Sequence, residues 1–389
     1  MKGASDQIYA RATLQASRVA AANLVELNLC ARPEGHPEAF GSQARSMYDQ
    51  LLAGLRSSGA TPRDVVVEKV FLSSLASQVA AARALRSDFY AQVAGGAPPV
   101  TFVQQPPAAP GQLCEVQALV LLPAGNARFH SRRIEGLPAE ASGRIVEAGG
   151  ARQLFVAGIC GGLEGDGLGF PAQARSMFER GETCLQGEGL SFRDVVRTWI
   201  YVANIDRDYA AMNVARRELY TSWGVSPPPA STGIRGGPYP PDRGCGLDLR
   251  AVTGARSVRP LHAPTMNEAP SYGCDFSRGT RVDFEDRAHL YVSGTASIDG
   301  AGLVVHPGDI TGQANRMLVN VEELLASQGA TFQDVVSAIT YLKQPDSLDA
   351  FLTVATRRGF PEEVPNTICV ADICRPDWLC EIEVTAILT

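Results

Sequence analysis

Three stretches of the chain share one spacing of apolar and polar positions. Residues 42–72 (SQARSMYDQLLAGLRSSGATPRDVVVEKVFL), 172–202 (AQARSMFERGETCLQGEGLSFRDVVRTWIYV) and 312–342 (GQANRMLVNVEELLASQGATFQDVVSAITYL) align without a gap. Self-similarity at a long fixed period marks a repeated structural unit. In the first stretch Met47, Leu51, Leu52 and Leu55 recur at helical spacing and predict a helix over 43–57. Gly59, Gly189 and Gly329 then stand where a helix end takes a left-handed residue. The runs Val65–Val67 and Val70–Leu72 predict a strand. A second helix is expected over 76–93, with Tyr90, Tyr220 and Phe360 in register.

Two strands close each unit. They are expected near 100–105 and 113–121, 230–235 and 245–252, and 367–373 and 379–387. Opening hairpins are expected at Ala22–Ala31, Gln153–Cys160 and Ala288–Ile298, the last turning at Asp299-Gly300. The pattern is ββαβαββ-like, with repeats over 1–125, 126–256 and 257–389. A sheet with both helices on one face must bury the other face. Three such sheets do so against each other around a pseudo-threefold axis. The fold class is therefore α+β, with a central barrel-like core of strands and helices outside.

Composition removes several function classes. The 389 residues carry a net charge of −6 and no basic block, which disfavours nucleic acid as a partner. No apolar run approaches ~18 residues, so no membrane span is expected. Residues 1–10 lack the apolar core of a signal peptide. The nine cysteines form no CxxC pair, which fits a reducing cytoplasm better than a disulfide framework or zinc ribbon. Cys114, Cys245 and Cys380 share one repeat position and predict a small buried side chain. Five dispersed histidines offer neither a metal motif nor a Ser-His-Asp order. The glycine-dense stretch 161–167 lacks the Lys-Ser/Thr of a phosphate loop and reads as a long turn. No metal or organic cofactor is implied.

The repeat resembles the RidA (YjgF/YER057c/UK114) unit, which forms homotrimers with active sites between subunits. The resemblance rests on SGTASIDG (293–300), Gln313 to Asn320, Gly329 with Asp334-Val335-Val336, and Glu381-Ile382-Glu383. It implies three fused RidA/YjgF-like (chorismate-mutase-like) units, a pseudo-trimer in one chain, and hence a monomer or weak dimer. A narrower resemblance, clearest in the third copy, is to the chorismatases, which cut chorismate to pyruvate and a dihydroxycyclohexadienoate or a hydroxybenzoate. Its residues are YGCDFSR (272–278), SGTASI (293–298) and CRPDWLCEIE (374–383). One departure matters. RidA imine deaminases carry a Pro-x-Arg arginine, whereas this chain has Pro99-Val100-Thr101, Pro229-Ala230-Ser231 and Pro365-Asn366-Thr367.

Chorismate contains an enol ether. Its hydrolysis needs a proton on the terminal methylene, and a carboxylic acid kept protonated by burial suits that task. The resemblance gives this role to Glu381. Glu115 is its counterpart in the first copy, and Gly246 removes the carboxylate from the second. One complete site is therefore expected, with 3-hydroxybenzoate the favoured ring product. A dianionic substrate in an acidic protein needs local positive charge. Arg278, Arg235, Arg357 and Arg358 are candidates, with Tyr239 and Tyr272 as hydrogen-bonding partners. Gly294, Thr295 and Ala296 of the SGTASI stretch are candidate substrate contacts. Cys374 could shape the product-forming step, and Cys369 is a second candidate. The alternatives are a tandem imine deaminase and a ligand-binding protein without catalysis.

Overall fold

A computed structural model describes residues 12–35, 38–138, 140–162, 167–268 and 274–389. The first unit runs β1 (Leu14–Ala20), β2 (Leu24–Ala31), α1 (Phe40–Ser57), β3 (Val65–Leu72), α2 (Leu75–Phe89), β4 (Val100–Gln104) and β5 (Cys114–Pro123). The second runs β6 (Phe129–Arg133), β7 (Ser142–Ala148), β8 (Ala151–Cys160), α3 (Phe170–Gln186), β9 (Val195–Val202), α4 (Ile205–Trp223), β10 (Ala230–Arg235), β11 (Gly237–Pro238) and β12 (Cys245–Thr253). The third runs β13 (Ser257–Pro260), β14 (Gly279–Asp283), β15 (Ala288–Ala296), α5 (Ile310–Ala326), β16 (Val335–Leu342), α6 (Leu348–Arg357), β17 (Asn366–Val370) and β18 (Cys380–Leu388).

The strands form three six-stranded sheets, in orders β1-β2-β5-β3-β4-β11, β10-β9-β12-β8-β7-β6 and β13-β14-β15-β18-β16-β17. The last long strand of each unit lies inside its sheet between two neighbours, so Glu115, Gly246 and Glu381 near its start are all buried. Isolated bridges join the sheets at Pro107 and Cys369, Ala230 and Ser277, and Ile234 and Ile373.

The repeated Gly and Asp-Val-Val positions have local causes. Gly59, Gly189 and Gly329 have φ of 72°, 72° and 75°, a backbone region that disfavours a Cβ. Asp64, Asp194 and Asp334 accept from the backbone N–H of Thr61, Ser191 and Thr331 at 2.9, 2.9 and 2.8 Å. Each closes a capping box that ends one turn and launches the following strand.

The opening segments differ from expectation. Ala288–Ala296 and Ala151–Cys160 are single strands, not hairpins. Each pairs with a preceding strand, and that strand with one more, so the second and third units open on three-stranded meanders. A long alternating run reads alike as one strand or two, and Gly294 and Gly158 break the ladder without turning the chain. The segment after β10 also breaks the repeat. Gly237 and Pro238 pair with Gln104 and Val103, adding an edge strand from the second unit to the first unit's sheet.

Candidate active site

Where adjacent units meet, the second helix of one unit approaches the last strand of the next. Between the second and third units this leaves a cleft of about 620 Å³. The second unit contributes α4 with Tyr209, Asn213, Arg216 and Arg217, and β10 with Ser231 and Thr232. The third contributes Phe276, Arg278, Gly294, Ala296, Cys374, Arg375, Trp378 and Glu381. The interface beneath is tied together by hydrogen bonds. Ser231 N donates to Ser293 Oγ at 2.9 Å, and Gly294 N to Thr232 Oγ1 at 3.0 Å.

Glu381 is 3% exposed and lines the cleft. Burial raises its carboxyl pKa to about 8, helped by repulsion from Glu383 and opposed by Arg197 and Arg278. Among the described residues, no side chain or backbone group donates a hydrogen bond to it. Glu383, two residues along β18, is treated differently. Trp199 Nε1 donates to its Oε1 at 2.5 Å, Arg197 lies 2.9 Å from Oε2, and the Tyr341 hydroxyl donates to Oε2 at 3.2 Å. Burial pushes Glu383 up, but Arg197, Lys69 and these hydrogen bonds outweigh it and hold it below the usual range. The two carboxyls are thus driven apart. One is protonated at neutral pH and the other is ionised.

The positive charge comes from several elements. Arg278 is 2% exposed, and its guanidinium is fixed by Asn267, with Nε to the backbone O at 2.7 Å and Nη2 to Oδ1 at 3.0 Å. Arg216 is 1% exposed and donates to Asn213 Oδ1 at 2.5 Å. Both guanidinium groups face the Phe276 ring, at 5.7 Å for Arg216 and 5.5 Å for Arg278. Arg375 lies 5.0 Å from the Trp378 ring. Cys374 borders the same space, and the Tyr209 hydroxyl hydrogen-bonds to it. Burial pushes the Cys374 thiol far above its ordinary value, so it is a neutral group. Among the described residues, no group of three His, Cys, Asp or Glu side chains could hold a metal ion.

Of the residues expected from the sequence, Glu381, Cys374, Arg278, Gly294 and Ala296 share this cleft. The others do not line it. Thr295 points away and donates to Ser293 O at 2.8 Å. Arg235 lies outside and pairs with Asp372 at 2.7 Å. Tyr239 lines a different cleft of about 510 Å³, between the first and second units, where the Arg83 guanidinium lies 4.6 Å from its ring. Cys369 is fully buried at the junction of the first and third units. Arg357 and Arg358 sit at the end of outer helix α6, where Arg358 pairs with Glu322. Tyr272 lies outside the described residues.

The placement of Arg357 and Arg358 outside the cleft has one cause. The cleft beside the third unit's closing strand uses the second helix of the second unit, not of the third. Arg217 stands three residues before Tyr220, as Arg357 stands three before Phe360. The repeat register therefore held the signal for Arg217, one copy earlier, while Arg216 aligns with Thr356. Arg375 and Trp378 lie inside the CRPDWLCEIE stretch that carries the narrower resemblance but were not singled out, and no comparable signal pointed to Tyr209.

The other two junctions are not equivalent. At the first-to-second junction Gly246 replaces the acid, and a Cβ there would lie 2.7 Å from Pro238 Cβ. At the third-to-first junction Glu115 is neutralised in place. Arg32 Nη2 lies 3.0 Å from Oε1, Cys30 Sγ donates to Oε1 at 2.8 Å, and Gln112 Nε2 donates to Oε2 at 2.9 Å.

A family model described as Endoribonuclease L-PSP matches residues 267–388. The 3-aminoacrylate deaminase RutC of Acinetobacter baylyi is 33% identical over 94 residues, covering 24% of this chain and 74% of RutC. A crystal structure of a chorismatase aligns over 95% of this chain and 99% of its own, at 20% identity and a TM-score of 0.61. Yeast Mmf1 aligns over 34% of this chain and 100% of its own, at 18% identity and a TM-score of 0.29. The chorismatase alignment extends the shared fold across all three units.

Proposed function

We propose a function from one premise: the chain belongs to the Endoribonuclease L-PSP (RidA/YjgF) family. We read it as a chorismatase-type enzyme that cleaves the enol ether of chorismate, or of a closely similar cyclic enolpyruvyl carboxylate, and releases pyruvate. The observation that carries this reading is a buried, protonated Glu381 facing a cleft lined by arginines from two units.

In this reading Arg216, Arg217, Arg278 and Arg375 hold the two carboxylates, as guanidinium groups do through paired N–H donors. Phe276 and Trp378 flank the ring. Glu381 transfers its proton to the terminal methylene carbon, leaving an oxocarbenium ion. The Glu381 carboxylate then stabilises that cation at short range. Addition of water at the oxocarbenium carbon gives a hemiketal, which collapses to pyruvate and a dihydroxycyclohexadienoate. Attack by the neighbouring ring hydroxyl instead gives a cyclic ketal. Its opening, with loss of a ring proton, yields pyruvate and a hydroxybenzoate without net addition of water. Cys374 is a neutral thiol beside Glu381 and occupies space that a water would otherwise fill, which favours the second branch and 3-hydroxybenzoate.

The test is a coupled pyruvate assay with chorismate, run on wild type and Glu381→Gln, with the ring product identified by mass spectrometry. Pyruvate that disappears in the variant supports the reading. No pyruvate from wild type removes it. A second reading, hydrolysis of a small imine, is favoured by the 33% identity to a protein named a deaminase. Against it stand Thr101, Ser231 and Thr367 at the Pro-x-Arg position. Ammonia release from a 2-aminoacrylate-type substrate, in the absence of pyruvate from chorismate, would favour this second reading.

A further inference from the structure

Each sheet turns polar side chains toward the middle of the molecule, around a cavity of about 120 Å³. Lys69 of β3, Arg197 of β9 and Arg250 of β12 bring three cations to its wall. They are set against aromatic rings. Lys69 Nζ lies 4.5 Å from the Trp199 ring centre and 5.3 Å from that of Tyr201. The Arg197 guanidinium lies 4.7 Å from Trp199, and that of Arg250 lies 4.7 Å from Phe155 and 5.1 Å from Tyr291.

On the same wall the oxygens of Glu383, Asp248 and Glu68 are committed, whereas Glu26 Oε2 accepts no hydrogen bond among the described residues. Those of Glu383 are taken by Trp199, Arg197 and Tyr341. Asp248 accepts from Thr101, the Gly158 N–H and Tyr201 at 2.5, 3.0 and 2.8 Å. Glu68 accepts from Arg86 and Tyr90, each at 2.6 Å. Burial holds Glu26 toward its neutral form, against Arg250 and Arg287. The donors are not used up. Lys69 Nζ, Arg197 Nη1 and Arg250 Nε are buried and meet no acceptor among the described residues. Burial lowers the Lys69 pKa, against Glu383 and Asp248, so an occupant that accepts hydrogen bonds and carries negative charge would offset the cost of holding the ammonium there.

We propose that this axial cavity is an anion site that takes one small monovalent inorganic anion, such as a halide, at the Lys69 ammonium. The size fits, because the cavity of about 120 Å³ has room for one small anion. The charge fits too. Glu383 and Asp248 lie close enough to act on Lys69 electrostatically, and they oppose a second negative charge on the occupant. The site is separate from the Glu381 cleft and does not depend on the reaction proposed for it.

Trp199 makes the site observable. Iodide bound beside Lys69 lies against the indole and quenches its fluorescence at low occupancy of the solution. Wild type should show a saturable quenching phase that chloride competes away, on top of the linear collisional quenching of Trp223 and Trp378. Lys69→Met should lose the saturable phase and keep the linear one. A wild-type crystal soaked in bromide should give an anomalous peak beside Lys69 Nζ, and this arm holds even if the variant folds poorly. Purely linear quenching in wild type, a saturable phase that survives Lys69→Met, or ordered water with no bromine signal would each overturn the proposal.

Discussion

A Cβ on Gly294 would lie 2.2 Å from Glu381 Oε1. The carboxyl of Glu381 occupies the space that any other residue at 294 would fill. Ala296 lies opposite Glu381 across the sheet, and Ala31 opposite Val116, so Cys30 is the first unit's counterpart of Gly294. There the side chain is present, and its sulfur holds Glu115 through a hydrogen bond. The glycine is what leaves room for the acid in the cleft.

Gly294→Ala should therefore act on chemistry more than on folding. The first atom it meets is the far end of a flexible side chain, so the carboxyl moves and the backbone does not have to. A misplaced acid costs about 10²-fold in rate, whereas the melting temperature should fall by only a few degrees, on the order of 1 kcal/mol. Pyruvate release and a thermal melt on the same preparation check both halves. Full activity in the variant would remove Glu381 from the reaction.

The pH dependence follows from the same carboxyl. In the proposed reaction Glu381 must be protonated to act, and burial raises its pKa to about 8. In a kcat/KM profile, which reports the free enzyme, the rate should be level below this value and fall about tenfold per pH unit above it. Stability should move with it. The folded state holds this proton at a higher pH than the unfolded chain does, so stability is full below pH ~4.5 and is lost as pH rises toward 8, by about 1.4 kcal/mol per unit. Glu381→Gln should remove that part of the slope and stabilise the protein at pH 8 relative to wild type. Chemical denaturation at three pH values checks it.

Glu383 sets the acid without touching the cleft. It is ionised, it repels charge on Glu381, and it pairs with Arg197, which would otherwise favour the Glu381 carboxylate. Its link to the cleft runs through Thr232. The Thr232 hydroxyl hydrogen-bonds to Glu383, and its oxygen accepts from Arg197 Nη2 at 2.6 Å and from Gly294 N at 3.0 Å. In Glu383→Gln the falling limb of the rate profile should shift to lower pH. A profile that drops uniformly, without a shift, would mean that Glu383 acts only on structure.

Much of this was legible in the chain itself. The three repeats, the helix-ending glycines and the capping aspartates have local causes, and local causes leave local patterns. Glu381 was put forward by the resemblance to the chorismatases, and the repeat comparison then set it against Glu115 and Gly246. The cleft's arginines were not, because which helix meets which strand is decided by the docking of one unit on the next. Arg357 aligns with the cleft's Arg217 one copy earlier, whereas Arg358 aligns with Glu218. Glu383 stood out only as part of the Glu381-Ile382-Glu383 motif, with no role attached, and Arg197 not at all, since alternate residues on a strand read as ordinary sheet until three sheets face each other.

The three junctions predict a clean separation between activity and stability. At the third-to-first junction Arg32 and Glu115 form a buried pair, with side chains 5% and 1% exposed. Arg32 also donates to Asn366 O at 2.8 Å and to Gln15 Oε1 at 2.9 Å, tying the first unit to the third. Arg32→Met removes one partner and leaves a buried carboxylate uncompensated, at a cost of about 3–5 kcal/mol. The double variant Arg32→Met with Glu115→Leu removes both charges and should recover most of that loss, because a buried pair is often replaceable by apolar groups of similar size. Neither change reaches the cleft between the second and third units, so kcat should stay near wild type for whatever fraction is folded. Glu381→Gln should show the reverse, with a lost rate and an intact fold. If Glu115→Gln abolished turnover while Glu381→Gln spared it, the live junction would be the one between the third and first units.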